Sequence, residues 1–222
     1  MRSAIAGGLF SVLMMTSGAH AAVNIALGDS TTSSSVNNTH GYTFTSNAVT
    51  DGVRNDTAPG GIFSYWLAQD GVTSAFVTVD LGATYNITGF TVTDTHNQNF
   101  FDRGTNAFAI GIGSSAASAQ AAALSTPTAS GSFSVAQWKA LTDVNVAGSG
   151  TGRYVTFQAL SAYGNTPGDT TGSGTAGSQF LSVGLNEIQV FGTLVSAVPE
   201  PISMALLGTG LVGLLAMRRR SV

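Results

Sequence analysis

The sequence predicts an all-β protein: one β-sandwich or jelly roll, flanked by an N-terminal signal peptide and a C-terminal single transmembrane helix. Three observations predict it. Period-two apolar segments recur through the middle of the chain, glycines fall between them, and each end is an apolar run bordered by arginine. Only 9% of the 222 residues are charged, against about 25% in ordinary globular domains, which excludes a charged disordered chain and a helical coiled coil. The segments divide as residues 1–21 (signal peptide), 22–193 (sandwich), 194–198 (linker) and 199–222 (C-terminal tail).

At the N-terminus Arg2 precedes an apolar run from Ala4 to Met15, followed by Ser17-Gly18 and the small-residue pattern Ala19-His20-Ala21. That is the order of a secretory signal peptide cleaved after Ala21, with Ala19 and Ala21 as the small residues a peptidase needs. The mature chain is expected to start near Ala22.

The body follows as strands. In Phe76–Leu81 the residues Val77, Val79 and Leu81 share one face and Thr78 and Asp80 the other, the pattern of a half-buried strand. Phe90 and Val92, Phe108-Ile110-Ile112, Val155-Phe157-Ala159 and Ile188-Val190 repeat the alternation. Gly82, Gly104, Gly152 and Gly192 mark strand boundaries. Trp66 is expected in the core. Ser115–Leu124 is Ala-rich and reads as a short helical surface insertion. The Gly-, Thr- and Ser-rich stretch from Asn165 to Gln179 reads as a long loop.

Composition and motifs remove several functions. Between the terminal segments Arg54, Arg103, Lys139 and Arg153 face ten acids, so the body is acidic and unsuited to binding nucleic acid by phosphate neutralisation. The chain has no cysteine, hence no disulfide, thiolate nucleophile or Cys-based metal site. Gly28-Asp29-Ser30 looks like the nucleophile block of GDS-type esterases, but no histidine follows His96 to serve as its base. A glycosidase pair would have to be Asp94 and Asp102, two loop residues with no further support. Zinc would find only His40 and His96 in the body. Gly111-Ile112-Gly113 lacks the third glycine and the Lys-Ser/Thr of a phosphate loop. No enzymatic activity is expected.

The tail runs Val198-Pro199-Glu200-Pro201, then an apolar segment from Ile202 to Met217, then Arg218-Arg219-Arg220. As a helix the segment spans about 24 Å, enough for a short membrane crossing with snorkelling arginines. The arginines favour a cytoplasmic C-terminus. Pro199, Glu200, Pro201, the apolar helix and Arg218, Arg219 and Arg220 in this order resemble the PEP-CTERM sorting signal of Gram-negative bacteria that make extracellular polysaccharide. The resemblance implies export through the inner membrane, transient anchoring there by the helix, and processing by an exosortase near Pro199-Glu200-Pro201.

A second resemblance spans the body. Asn24–Gly28 is followed by Asn47-Ala48-Val49-Thr50-Asp51-Gly52, Asn55-Asp56-Thr57 and Trp66, then Val77–Gly82, Tyr85–Phe90, Gly152–Val155 and the closing Gly184–Gly192. The ordered set resembles the discoidin, or coagulation-factor type C, domain, a galactose-binding-like jelly roll that includes the family-32 carbohydrate-binding modules. The stretches 114–139 and 165–179 are longer than that family's usual connections. The resemblance implies a structural Ca2+ held by Asp51, Thr57 and Glu187 with backbone carbonyls near Asn47 and Asn55. Calcium requires six to eight oxygens including carboxylates, and Glu187 is the only glutamate of the body. The alternative is that Asp51 caps a turn and Glu187 pairs with Arg54 or Arg153.

Sugar binding requires an aromatic platform and polar side chains for the hydroxyls. The loop Asp94–Arg103 concentrates both, and it lies where sugar-binding relatives place ligand loops. His96, Asn97, Phe100 and Arg103 are the candidate contacts, with Tyr163 at the same rim. Alternatively, Arg103 pairs with Asp102 or Asp94, and Phe100 or Phe101 packs in the core. The function expected is an exported surface or matrix protein that binds extracellular polysaccharide, the alternative being a structural or adhesive protein without a defined sugar site.

Overall fold

The computed structural model describes residues 23–39, 41–55, 63–95, 103–163 and 181–195. Signal cleavage at Ala19 and Ala21, the tail from Pro199, and the residues Thr57, His96, Asn97 and Phe100 lie outside them. Among the described residues no helix is long and apolar enough to cross a membrane.

The body is an all-β sandwich. Its strands are β1 (Ser30–Ser33), β2 (Trp66–Leu67), β3 (Ala75–Thr93), β4 (Ala107–Gly113), β5 (Ala129–Ser132), β6 (Val144–Val146), β7 (Gly150–Ala159), β8 (Gly184–Leu185) and β9 (Glu187–Leu194). Helix α1 (Ala116–Ser125) and the short α2 (Val135–Ala140) flank β5, and a 3-10 turn covers Ser46–Thr50. The main sheet runs β1-β3-β7-β4-β5, with β6 and β9 also on β3, while β2 pairs with β8.

β3 is the spine. All of its pairings are antiparallel, and its register with β7 shifts between Asp80 and Tyr85. The first half carries β1 and the second half carries β9, from Thr93↔Glu187 to Tyr85↔Leu194. Gly82, expected to end a strand, instead sits within this irregularity, where its N–H donates to Asp80 Oδ1 at 3.0 Å. One bulged strand replaces two separate ones because the irregularity turns the chain without breaking its ladder.

The alternation expected from the sequence fills the core. Val77, Val79, Leu81, Phe90, Val92, Phe108, Ile110, Val155, Phe157, Ala159, Ile188 and Val190 are buried together. Trp66 is fully buried among them, its Nε1–H donating to the Ser35 carbonyl at 2.7 Å. Full burial of one such ring contributes on the order of 2–3 kcal/mol. A smaller cluster gathers Phe44, Tyr65 and Leu67 with Phe63.

Thr78 and Thr156, on the face opposite that core, are buried as well. The covering element is α1, which is packed against the sheet instead of standing off as an insertion. Its Gln120 Nε2 donates to Thr78 Oγ1 at 3.2 Å, and its Ala119 and Ala123 are buried. Ser115 caps its N-terminus in a capping box with Ser118. The helix comes this close because Gly111 of β4 has no side chain: a Cβ there would lie 2.2 Å from the Ala119 carbonyl oxygen.

Gly111→Ala is therefore expected to force α1 off the sheet at a cost of about 1–3 kcal/mol, read as a lowered thermal unfolding midpoint. Gly89→Ala, whose Cβ would meet nothing closer than 3.8 Å, serves as the control and is expected to leave the midpoint nearly unchanged.

Candidate functional site

Two sites stand at the end of the sandwich where β9 begins. The first is built around Glu187. The β9 register sets Glu187 opposite Thr93 and carries Ile188 and Val190 into the core. Glu187 is 0% exposed, and neither of its carboxylate oxygens makes a hydrogen bond of normal geometry. Arg54 Nε donates instead to Asp143 Oδ1 at 2.6 Å, and Arg153 makes a two-pronged bond to Asp80 at 2.6 and 2.8 Å. Neither arginine forms the alternative ion pair with Glu187. Burial pushes the Glu187 carboxyl up to about 8, and the nearby charges of Asp51 and Asp143 add to this. The Gly52 N–H and the Arg54 guanidinium offset only part of the rise.

Asp51 faces Glu187 from the end of the 3-10 turn. Its Oδ1 accepts from Val53 N at 2.8 Å, so it does close a turn, and its Oδ2 accepts from the Ser64 hydroxyl. Gly52 permits that turn with φ +78°, a conformation few side chains tolerate. Asn55 bridges to Ser64, and its carbonyl accepts from Asn186 Nδ2 at 3.2 Å. Asn186 is fully buried and its Oδ1 has no hydrogen-bond partner. Asn47 stands on the turn: its Oδ1 accepts from Thr31, and its carbonyl accepts from Thr50 Oγ1. Ser64 is absent from the sequence-derived set, since a serine 13 residues past an Asp-Gly turn carries no signal of its own.

Glu187 thus has two buried oxygens without a partner near the charge of Asp51, which the Ser64 hydroxyl meets, and the preceding residue Asn186 has a third. Such a set of hard oxygens fits a calcium ion, because buried polar atoms left without partners are costly and a cation would satisfy them.

The second site adjoins the loop after Asp94. Asp94 Oδ1 accepts from Thr95 N at 2.9 Å and from Thr105 N at 3.0 Å, tying the two ends of residues 95–105 together. Arg103 is 5% exposed and forms an ion pair with Asp70 Oδ1 at 3.1 Å, a partner 33 residues away that the sequence did not suggest. Asp70 also accepts from Asn37 Nδ2 at 2.8 Å and from Thr39 Oγ1 at 3.3 Å. Tyr163, expected at a rim, is buried, and its hydroxyl donates to the Phe133 carbonyl.

An aromatic group not singled out from the sequence lies next to this network. Tyr42, Phe44, Phe63 and Tyr65 stack edge-on or tilted at 4.9–6.5 Å between centroids. Phe44 N donates to the Asn37 carbonyl at 3.1 Å, so the stack and the Asn37–Asp70–Arg103 network share a backbone. Tyr42 is 46% exposed. The available signal was the paired alternation Tyr42-x-Phe44 and Phe63-x-Tyr65.

Residues 197–220 match the PEP-CTERM protein-sorting motif, which implies export and sorting by an exosortase. No curated protein matches the chain. Among solved structures the chain is similar to an f-lectin (fucolectin) from Morone saxatilis (striped bass) serum, with 21% identity, 78% of this chain and 50% of that one covered, and a TM-score of 0.52. It is similar to CpGH89CBM32-5 from Clostridium perfringens in complex with GalNAc-β-1,3-galactose, with 14% identity, 78% and 100% covered, and a TM-score of 0.52. It is also similar to the lectin domain of lectinolysin complexed with Lewis B antigen, with 20% identity, 77% and 97% covered, and a TM-score of 0.50. The body shares the fold of these three proteins.

The Glu187 environment predicts a pH dependence. A carboxyl raised from 4.5 to about 8 in the folded state contributes stability in full below pH 4.5, and this is lost as pH rises through about 8. Unfolding free energy is expected to fall across that window by at most about 1.4 kcal/mol per pH unit. Glu187→Gln is expected to remove that slope in denaturant titrations run at pH 5, 6.5 and 8.

Proposed function

We propose that this is an exported cell-surface or extracellular-matrix protein of a Gram-negative bacterium whose sandwich binds carbohydrate of the surrounding extracellular polysaccharide, and that it is not an enzyme. The observation that carries the reading is the partly exposed Tyr42, held on a stack of aromatic rings beside the Asn37–Thr39–Asp70–Arg103 network. A pyranose offers an apolar face for such a ring and hydroxyls for such a network. His96, Asn97 and Phe100 would come from the loop that Asp94 ties at its neck, while Arg103 secures the end of that loop through Asp70. The fold likeness to carbohydrate-binding modules is consistent with this.

Calcium would be held by Glu187 and Asp51, helped by Ser64, Asn186, Thr57 and backbone carbonyls near Asn47 and Asn55. A bound ion supplies two positive charges and a fixed coordination shell. The chain's own residues do the rest: the Asp51–Asn55 loop is pinned to the start of β9, which steadies the end of the sandwich where the aromatic stack lies. The tail beyond β9 would pass the inner membrane with its C-terminus in the cytoplasm until an exosortase acts near Pro199-Glu200-Pro201.

At calcium one hundred times its dissociation constant the folded state gains about 2.7 kcal/mol. That corresponds to a midpoint rise of roughly 5–10 °C for a domain of this size, which Glu187→Ala or Asp51→Ala is expected to abolish. On a glycan array with calcium present, saturable and competable binding is expected, and Tyr42→Ala is expected to weaken it tenfold or more. Absence of any saturable binding would favour the structural or adhesive role instead.

A further inference from the structure

The charges surrounding Glu187 extend beyond the donor oxygens. Arg54 lies three residues past Asp51, and its Nε donates to Asp143 Oδ1 at 2.6 Å. The same Asp143 oxygen accepts from Thr93 Oγ1 at 2.6 Å, and Thr93 is the strand partner of Glu187. Asp143, in the turn between α2 and β6, therefore reaches the end of β3 and fixes the guanidinium beside the Asp51–Glu187 pair. Asp51 and Asp143 both raise the Glu187 carboxyl through their charge, and the Arg54 guanidinium opposes them. The Arg54 and Asp143 side chains are 33% and 42% exposed, so the arginine stands at the solvent side of a buried acid.

We propose that Arg54 is a built-in counter-cation of the Asp51–Glu187 site, held clear of the donor oxygens by Asp143. It keeps the site folded when empty and sets it to bind a divalent cation weakly. This rests on the calcium reading above. A guanidinium close to the site repels an incoming Ca2+ and offsets part of the repulsion among the carboxylates while the ion is away. Such a site is tuned towards the 10⁻⁴–10⁻³ M range of extracellular modules, where calcium is plentiful and tight binding is unnecessary. If Arg54 were only a clamp for the Asp51 loop, breaking its bond to Asp143 from either side would loosen the loop and weaken metal binding.

The test is calcium titration calorimetry on the full chain in detergent, with calcium chloride as the only ligand, paired with thermal unfolding in chelator. Arg54→Gln is expected to tighten calcium binding about threefold to tenfold, the scale of one partly screened charge, and to lower the midpoint in chelator. Arg54→Lys, which keeps the charge, is expected to bind as the wild type does. Asp143→Asn is expected to weaken binding, and adding Arg54→Gln to it is expected to restore part of the loss. Should Arg54→Gln fold only with calcium, its affinity is read by competition with a chelator of known strength, and the same sign is required. Weaker or unchanged binding in Arg54→Gln overturns the proposal while leaving the calcium site intact. A wild-type chain that binds no calcium overturns the calcium reading itself and this inference with it.

Discussion

The antiparallel pairing of β9 with the second half of β3 is the constraint on which the rest of the structure depends. It delivers Ile188 and Val190 to the core and, by the same register, sets Glu187 opposite Thr93 where water does not reach. A strand cannot slip by one residue without exchanging its two faces, so the apolar residues of β9 dictate where its only acid must sit. The cost of burying that acid is only partly offset by what lies opposite. The Asp51–Asn55 loop, the Ser64 hydroxyl and the Arg54–Asp143 pair all converge on the start of β9.

Side chains from distant segments meet at this end because the chain returns to it repeatedly. Asn37, Asp70 and Arg103 come from three separate connections, and the β2–β8 pair brings Trp66 to Leu185 just before Glu187. The Thr105 hydroxyl donates to the Gly184 carbonyl at 2.6 Å, linking the neck of the loop after Asp94 to the strand pair that precedes β9. Among the described residues the buried charged side chains, Asp94, Arg103 and Glu187, are gathered at this end, while the buried polar groups of the mid-sheet, such as Thr78 and Thr156, are uncharged. Networks of this kind specify a single arrangement because each buried group left without its partner is costly.

Much of the fold was legible in the sequence because period-two alternation reports directly on strand faces. Val77, Val79, Phe108, Ile110, Val155 and Phe157 needed no tertiary information to be placed. The cover over the other face was not legible: α1 carries no amphipathic stripe, and its docking depends on Gly111 being in register beneath Ala119. At the candidate site, Asp51 and Glu187 were reached through the resemblance to the discoidin domain, whose carboxylate positions they match. Ser64, Asp143 and the Asp70 partner of Arg103 were not, since each contact joins positions tens of residues or more apart in sequence to their partners or lacks any local motif. Tyr163 looked like a rim residue beside a glycine, yet its ring and hydroxyl are spent inside, on the carbonyl of Phe133.

The direction of β9 has a mechanical consequence. Its first residue stands beside the loop neck and the carboxylate cluster, and its last, Leu194, leads within a few residues to the matched sorting motif. Val195, the last described residue, donates its backbone N–H to Thr84 O at 3.0 Å. Over eight residues the strand spans about 26 Å, so a pull between the tail and the loop end runs lengthwise along it. Force in that direction loads the β3–β9 hydrogen bonds in shear, so that they share the strain together instead of peeling apart one at a time. The strand that leads to the sorting tail is thus also oriented to bear tension.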